Sequence, residues 1–337
     1  MSKESGGFKV ASVWKDNKIL KKWYKKRCFD HFDGNFNYNL MNLMSDPLLD
    51  AISKDIGVDK EYIYLGAGIS QFIGVILTMD CWENIYLPSI EFGLYLRQGE
   101  KVDKKLVKVP SSSLDEFMSH LKEYKTSEND LLCISLPRWY DGEMLTNTQL
   151  YEILDCFKGT LVIDEAYIDY SSNENGFINE CLNNNRIIIL RSFSKKYFAS
   201  GLRAGYLVTT KNIDGLRSTL IPPHSISSSS ANLLIDLLND KKVIELFSNT
   251  RNYMSKNRDA LYDYLKNDTR FEVRRSNANF LSIKFSSKET WEKFYDILKG
   301  LPGIQKFEID GVMFVKIWIS DSRFSNIVLT RINGLKV

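Results

Sequence analysis

Three near-continuous apolar runs constrain the fold of this chain more than any other feature: "DLLCISLP" at 130–137, "GTLVIDEAY" at 159–167 and "NRIIILRSF" at 185–193. Runs of strand length without polar alternation are buried on both faces, as central strands of a parallel sheet are. Between the first two, "TNTQLYEILDCFK" at 146–158 carries apolar residues at helical spacing behind a capping threonine. Upstream, "EYIYLGAG" at 61–68 reads as a strand running into a turn. Repeated strand–helix–strand units predict an α/β fold, a large and mostly parallel mixed sheet with helices on both faces.

The texture changes after "SISSSSANLL" at 225–234, where long charged helices precede the strands "ANFLSIKF" and "VMFVKIWIS". That pattern predicts a smaller α+β domain. The serine run is open to two readings, linker or helix start, and the apolar residues that follow favour a helix start. The expected division is 51–235 for the large domain, with 1–50 plus 236–337 forming the small one.

Composition removes several function classes. The 337 residues are 44% hydrophobic, enough for one large core and a smaller one. Lys and Arg number 45 against 42 Asp and Glu, so bulk charge points to neither nucleic acid nor an anionic membrane. The basic "KKWYKKR" at 21–27 reads as a solvated helix face. Five scattered cysteines without a CxxC pair and three histidines without ligand spacing predict neither a disulfide framework nor a metal centre. The first ten residues lack the pattern of a signal peptide, and the longest apolar stretch, "FIGVILTM", is far short of a membrane span. A cytoplasmic protein is expected.

The chemistry gathers at strand ends. Asp164 and Tyr167 emerge from the C-terminal end of one apolar strand and Lys195 follows another, and open α/β sheets place their ligands at that edge. A carboxylate, a phenol and an amine converging there suit pyridoxal 5′-phosphate (PLP). The lysine forms a Schiff base with its aldehyde, the aspartate keeps its ring nitrogen protonated, and the tyrosine bonds its ring oxygen. Ser192, Ser194 and Arg203 flank the lysine and offer hydroxyls and a guanidinium fork to the phosphate. In "LGAGISQFI" at 65–73, Gly68 permits a sharp turn, and the Ile69 and Ser70 N–H groups open a helix whose positive end suits the same anion.

"DEAYIDY" followed by "LRSFSKKYFASGLRAGYLV" resembles the fold-type I PLP enzymes, in particular the branch of histidinol-phosphate aminotransferase and threonine-phosphate decarboxylase. The resemblance runs from about residue 50 to 330 and includes "VDKEYIYLGAGISQFI", "NRDALYDYL" and "NANFLSIKF". It implies that Lys195, rather than its neighbour Lys196, carries the cofactor, that Arg203 binds its phosphate, and that the chain forms a homodimer. It also implies that Phe92 covers the ring. Departures accompany it. Trp139 in "PRWYDG" replaces an asparagine donor, Met44 falls near the place of a cross-dimer tyrosine, and Lys316 and Lys306 fall where substrate-side arginines belong. Arg138 in the same turn is a candidate replacement for the lost anion clamp, with pairing to Asp141 or Glu143 as the alternative.

Three functions follow in order of preference. The first is a PLP-dependent aminotransferase of a small phosphorylated amino acid or amine, with Lys195 also shuttling the proton. The second is a decarboxylase of a phosphorylated amino acid. The third is a non-catalytic binding or scaffold protein that keeps the fold.

Overall fold

In a computed structural model, residues 13, 17–31, 39–211 and 225–334 are described, with side chains among 28–45 excepted. The apolar runs become the middle of a seven-stranded sheet. Its strands are β1 (Ile63–Gly66), β2 (Asn84–Pro88), β3 (Lys105–Val109), β4 (Asp130–Ser135), β5 (Thr160–Asp164), β6 (Ile187–Ser192) and β7 (Gly205–Val208), in the order β1-β7-β6-β5-β4-β2-β3. Parallel pairing joins β3, β2, β4, β5 and β6, and β7 runs antiparallel to both β6 and β1. Every residue of β4 and β5 is buried, as their unbroken hydrophobicity requires.

Successive residues of these strands serve opposite faces. Leu132, Ile134, Leu161 and Ile163 join one core cluster, while Leu131, Cys133 and Val162 join the other. The second cluster packs beneath the Ile69–Thr78 helix, whose Phe72, Ile73, Ile76 and Leu77 face the sheet. Thr146 caps the Asn147–Cys156 helix in a reciprocal capping box with Gln149.

The serine run is a helix start: Ser227 accepts from the Ser230 N–H and begins the Ser228–Asn239 helix. A four-stranded antiparallel sheet follows, built from β8 (Glu272–Val273), β9 (Phe280–Phe285), β10 (Ile304–Ile309) and β11 (Val312–Trp318), in the order β10-β11-β9-β8. The Lys241–Leu265 helix connects the two units. Val243, Phe247 and Met254 lie in the large core, whereas Leu261 and Leu265 lie in the core of the smaller sheet. Packing bears on one expected boundary. Leu20, Leu48 and Ile52 share a cluster with the strands of the large sheet, because both of their helices pack on the Ser228–Asn239 helix and the Asn39–Ile56 helix also meets β1. We therefore propose that the helices before residue 57 belong with the large unit.

Lys21, Lys22, Lys25 and Lys26 form an exposed face of the Lys18–His31 helix, and the Trp23 indole turns inward to donate to Asp240 at 2.9 Å. The Met44 side chain lies outside the described residues. No described helix is long and apolar enough to cross a membrane.

Candidate active site

Strand register brings the chemistry-bearing residues to one edge. Ser135 ends β4 opposite Asp164 at the end of β5, and Ser192 at the end of β6 faces Gly205 on β7. A cavity of about 220 Å³ opens there, lined by Gly68, Ile69, Ser70, Ser192, Ser194, Ser200 and Arg203 toward one end. Phe92, Ser135, Trp139, Asp164, Ala166, Tyr167 and Lys195 complete the lining. All ten residues expected to bind or work through the cofactor are therefore in one place.

Asp164 is 5% exposed. One carboxylate oxygen accepts from the Ala166 N–H at 3.0 Å, and the other from the Tyr95 hydroxyl at 3.2 Å. Burial pushes its pKa up to about 7, the Ala166 N–H holds it down, and the nearby Glu91 raises it further. A buried carboxylate in this state gains most from a cation placed beside it. Glu165, the next residue, serves the architecture: it pairs with Arg191 at 2.8 Å and accepts from the Phe177 N–H at 2.7 Å.

Lys195 sits on a single helical turn, Phe193–Lys196, capped by the Ser192 hydroxyl. Its amine lies 5.1 Å from the centre of the Tyr167 ring and 5.4 Å from that of Trp318. Burial lowers its pKa to about 8, and Asp164 opposes the shift. Lys196 points elsewhere. Its amine is 2.7 Å from Asp55 and 4.0 Å from Asp169, and these carboxylates outweigh burial and hold it charged. The following loop is fixed from behind, where Arg251 donates to the Lys196 carbonyl at 2.7 Å.

The cradle at the other end rests on glycine. Gly68 has φ +80°, and a β-carbon there would stand 3.1 Å from an Arg203 nitrogen. Gly68 precedes the first turn of the Ile69–Thr78 helix, whose opening N–H groups have no partner within the helix. At Gly205 a β-carbon would come within 3.2 Å of the Gly68 α-carbon, so the small residue lets β7 approach the loop. Arg203, itself left-handed at φ 48°, reaches the Ala67 carbonyl at 3.3 Å.

The three candidates for the substrate side do not line the cavity. Arg138 is 2% exposed and does not line the cavity. It donates to the Ser111 carbonyl and lies 3.4 Å from Asp141 and 3.5 Å from Glu143, so nearby carboxylates have satisfied it. Lys306 pairs with Glu292 and lies 4.1 Å from the Trp291 ring centre, away from the cavity. Lys316 is fully enclosed behind Trp139, to whose carbonyl it donates.

Sequence reasoning missed Tyr95, Ser135, Ser200 and Ala166. Tyr95 stands one helical turn after Phe92, so its place beside Asp164 follows once Phe92 is placed at the sheet edge. Glu91 is also unforeseen. It is buried and accepts from the Ser135 hydroxyl at 2.6 Å, the Ser135 N–H at 2.9 Å and the Phe92 N–H at 2.6 Å, fixing two cavity residues at once.

Residues 26–304 match the sequence profile of the family "Aminotransferase class I and II". The chain belongs to that family. It is 29% identical over 269 residues to the histidinol-phosphate aminotransferase of Ruminiclostridium cellulolyticum, covering 75% of this chain and 73% of that enzyme. Among solved structures it resembles the histidinol-phosphate aminotransferase of Sinorhizobium meliloti, in complex with pyridoxal-5′-phosphate, with TM-score 0.73 and 15% identity over 92% of this chain and 86% of that one. It also resembles the L-threonine-O-3-phosphate decarboxylase of Porphyromonas gingivalis, with TM-score 0.73 and 16% identity over 93% and 95% of the two chains. These likenesses show the fold as that of fold-type I PLP enzymes.

The cavity of this aminotransferase-family chain fits that cofactor. It offers a buried carboxylate held near neutrality, an amine of lowered proton affinity, and a glycine-shaped cradle of hydroxyls beside a guanidinium. Arg203→Ala should weaken PLP binding about ten- to a hundredfold, the worth of a charge-assisted contact. Equilibrium dialysis against PLP measures it; an unchanged dissociation constant assigns the phosphate to other groups.

Proposed function

We propose that the protein is a PLP-dependent aminotransferase of a small phosphorylated amino acid or amine, acting in the cytoplasm as a homodimer. One observation carries the reading: the Lys195 amine, with its pKa lowered to about 8, lines the same cavity as the buried Asp164 and as Arg203. The family membership and the curated relative support it.

When bound, PLP supplies an aldehyde that takes up the substrate amine and a ring that accepts electrons from the neighbouring carbon. This chain's residues do the rest. Ser192, Ser194, Ser200, Arg203 and the N–H groups of Ile69 and Ser70 hold the phosphate. Asp164, oriented by Tyr95 and Ala166, would place its charge at the ring nitrogen. Tyr167 would donate to the ring oxygen, without the second donor that an asparagine at position 139 would add. Lys195 would anchor the aldehyde and, as an amine, would hold and move the proton at the carbon bearing the substrate amine. Phe92, Trp139 and Ala166 exclude water around that carbon.

A second reading, decarboxylation of a phosphorylated amino acid, has one observation behind it: Arg138, Lys306 and Lys316, the expected cations on the substrate side, do not line the cavity. Visible absorbance of the loaded protein, titrated with phosphorylated amines and amino acids, separates the readings. Conversion of the aldehyde to the amine form of the cofactor is the expected result. Carbon dioxide release supports the decarboxylase, and a spectrum unmoved by every candidate overturns both in favour of a binding role.

A further inference from the structure

The ladder between β2 and β4 ends at Tyr86 and Leu132, whereas β4 continues beside β5 as far as Ser135 and Asp164. β2 therefore parts from β4 where the sheet opens onto the cavity. The Leu136 N–H turns toward β5 and donates to the Asp164 carbonyl at 2.9 Å, so the Ser135 N–H faces the gap on the β2 side. Glu91, which is 2% exposed, closes that gap with its side chain. One carboxylate oxygen accepts from the Ser135 N–H at 2.9 Å, and the other from the Ser135 hydroxyl and the Phe92 N–H, each at 2.6 Å. Three donors aimed at two oxygens call for a carboxylate, which only accepts.

Phe92 depends on this tie. Its ring is 37% exposed and lies 6.5 Å from that of Trp139, so packing holds it lightly. The backbone carries the constraint instead: the Phe92 N–H goes to Glu91, and its carbonyl accepts from the Tyr95 N–H at 2.9 Å. The Tyr95 hydroxyl in turn donates to Asp164. A closed circuit thus runs from Phe92 through Glu91 to Ser135, across the strand register to Asp164, and back through Tyr95. On the far flank of the same loop, the Ile90 N–H donates to the Ser111 hydroxyl at 2.9 Å, and Ser111 does not line the cavity.

We propose that Glu91 is a positioning residue for the cofactor ring: by tying Phe92 to Ser135 across the gap between β2 and β4, it fixes the wall that covers the ring relative to Asp164. The inference rests on the PLP-dependent reading above.

Charge acts in the same direction. Glu91 and Glu165 raise the proton affinity of Asp164, while the Ala166 N–H and the Tyr95 hydroxyl lower it. A second buried negative charge behind the wall favours a cation beside Asp164, where the protonated ring nitrogen belongs. Arg138, in the turn after β4, moderates the Glu91 charge and is itself shared with Asp141 and Glu143.

The test compares Glu91→Ala, Glu91→Gln and Ser111→Ala. In the loaded protein, borohydride trapping times the first-order attachment of bound PLP to Lys195, and circular dichroism of the cofactor's visible band reads the pose of its ring. Glu91→Ala should slow attachment about tenfold or more and diminish the band. PLP affinity in a Lys195→Ala background should change less than about threefold, because Arg203 and the serines hold the other end. Glu91→Gln keeps one oxygen for the Phe92 N–H and the Ser135 hydroxyl, so it should restore most of the band, and it serves if the alanine variant does not fold. Ser111→Ala loosens the other flank and should leave both readouts within about twofold of wild type. A Ser111→Ala protein that reproduces the Glu91→Ala effects overturns the proposal, since loosening of the loop would then suffice. So does a Glu91→Ala protein with wild-type attachment and band, or one whose PLP affinity falls as far as its attachment rate. A second readout needs no cofactor. Under urea, Glu91→Gln and Ser135→Ala should be non-additive by about fivefold or more in the unfolding equilibrium constant, and additivity overturns the tie. A chain that takes up no PLP yet shows this coupling overturns the functional reading and upholds the tie across the gap.

Discussion

Lys195→Ala is expected to leave a folded protein that holds PLP without a covalent bond and turns over at least about a thousandfold more slowly. The substituted side chain lines a cavity at the end of β6, so its loss removes an amine and opens little of the core. That amine is suited to attack an aldehyde, since burial lowers its pKa to about 8 and a sizeable share is neutral near physiological pH. Covalent attachment should accordingly quicken as pH rises through about 8. The neighbouring Lys196 cannot substitute, because Asp55 and Asp169 hold its ammonium at another face of the turn. Borohydride reduction of the loaded protein followed by peptide mass measures the point. The adduct belongs on Lys195 in the wild type and should vanish in the variant; an adduct on Lys196 in the unmodified chain would overturn the assignment.

The cofactor end of the site was legible because it depends on local chemistry. Apolar runs mark strands, strand ends mark the ligand edge, and Asp164, Ser192 and Lys195 stand at those ends. Direction is less local. Nothing in the short run "GYLV" distinguishes the antiparallel β7 from its parallel neighbours, since both kinds of central strand are buried. The substrate side was less legible because charge alone does not say which way a cation points. Arg138 had its partners three and five positions away, Asp141 and Glu143, and both were visible in "PRWYDGE". For Lys316, strand alternation held a usable signal: Phe314 and Trp318 share its face of β11, which places the amine in an aromatic layer. The place of Leu20 and Leu48 in the large core needed the tertiary contact itself, because a helix pattern says which face is apolar and not what it meets.

The second large effect is expected at Asp164, and it has opposite signs in the cofactor-free and the loaded protein. Without cofactor, burial holds this carboxyl at about 7, against 3.8 for the ordinary group. The folded chain therefore keeps a proton that the unfolded chain has already lost between about pH 4 and 7, and stability falls as pH rises through that window. The full difference corresponds to roughly 4 kcal/mol, an upper figure. Asp164→Asn removes the ionisation while conserving shape, so the cofactor-free variant should lack this slope and be the more stable protein at pH 8. Urea unfolding of both proteins at pH 5 and pH 8 measures the contrast. On the PLP reading proposed above, the protonated ring nitrogen would supply the missing cation, the carboxylate would become favourable, and the same substitution should remove an electrostatic stabiliser worth about a hundred- to a thousandfold in turnover. A variant that matches the wild-type pH slope and also keeps full turnover would show that Asp164 neither carries the buried charge nor meets the ring.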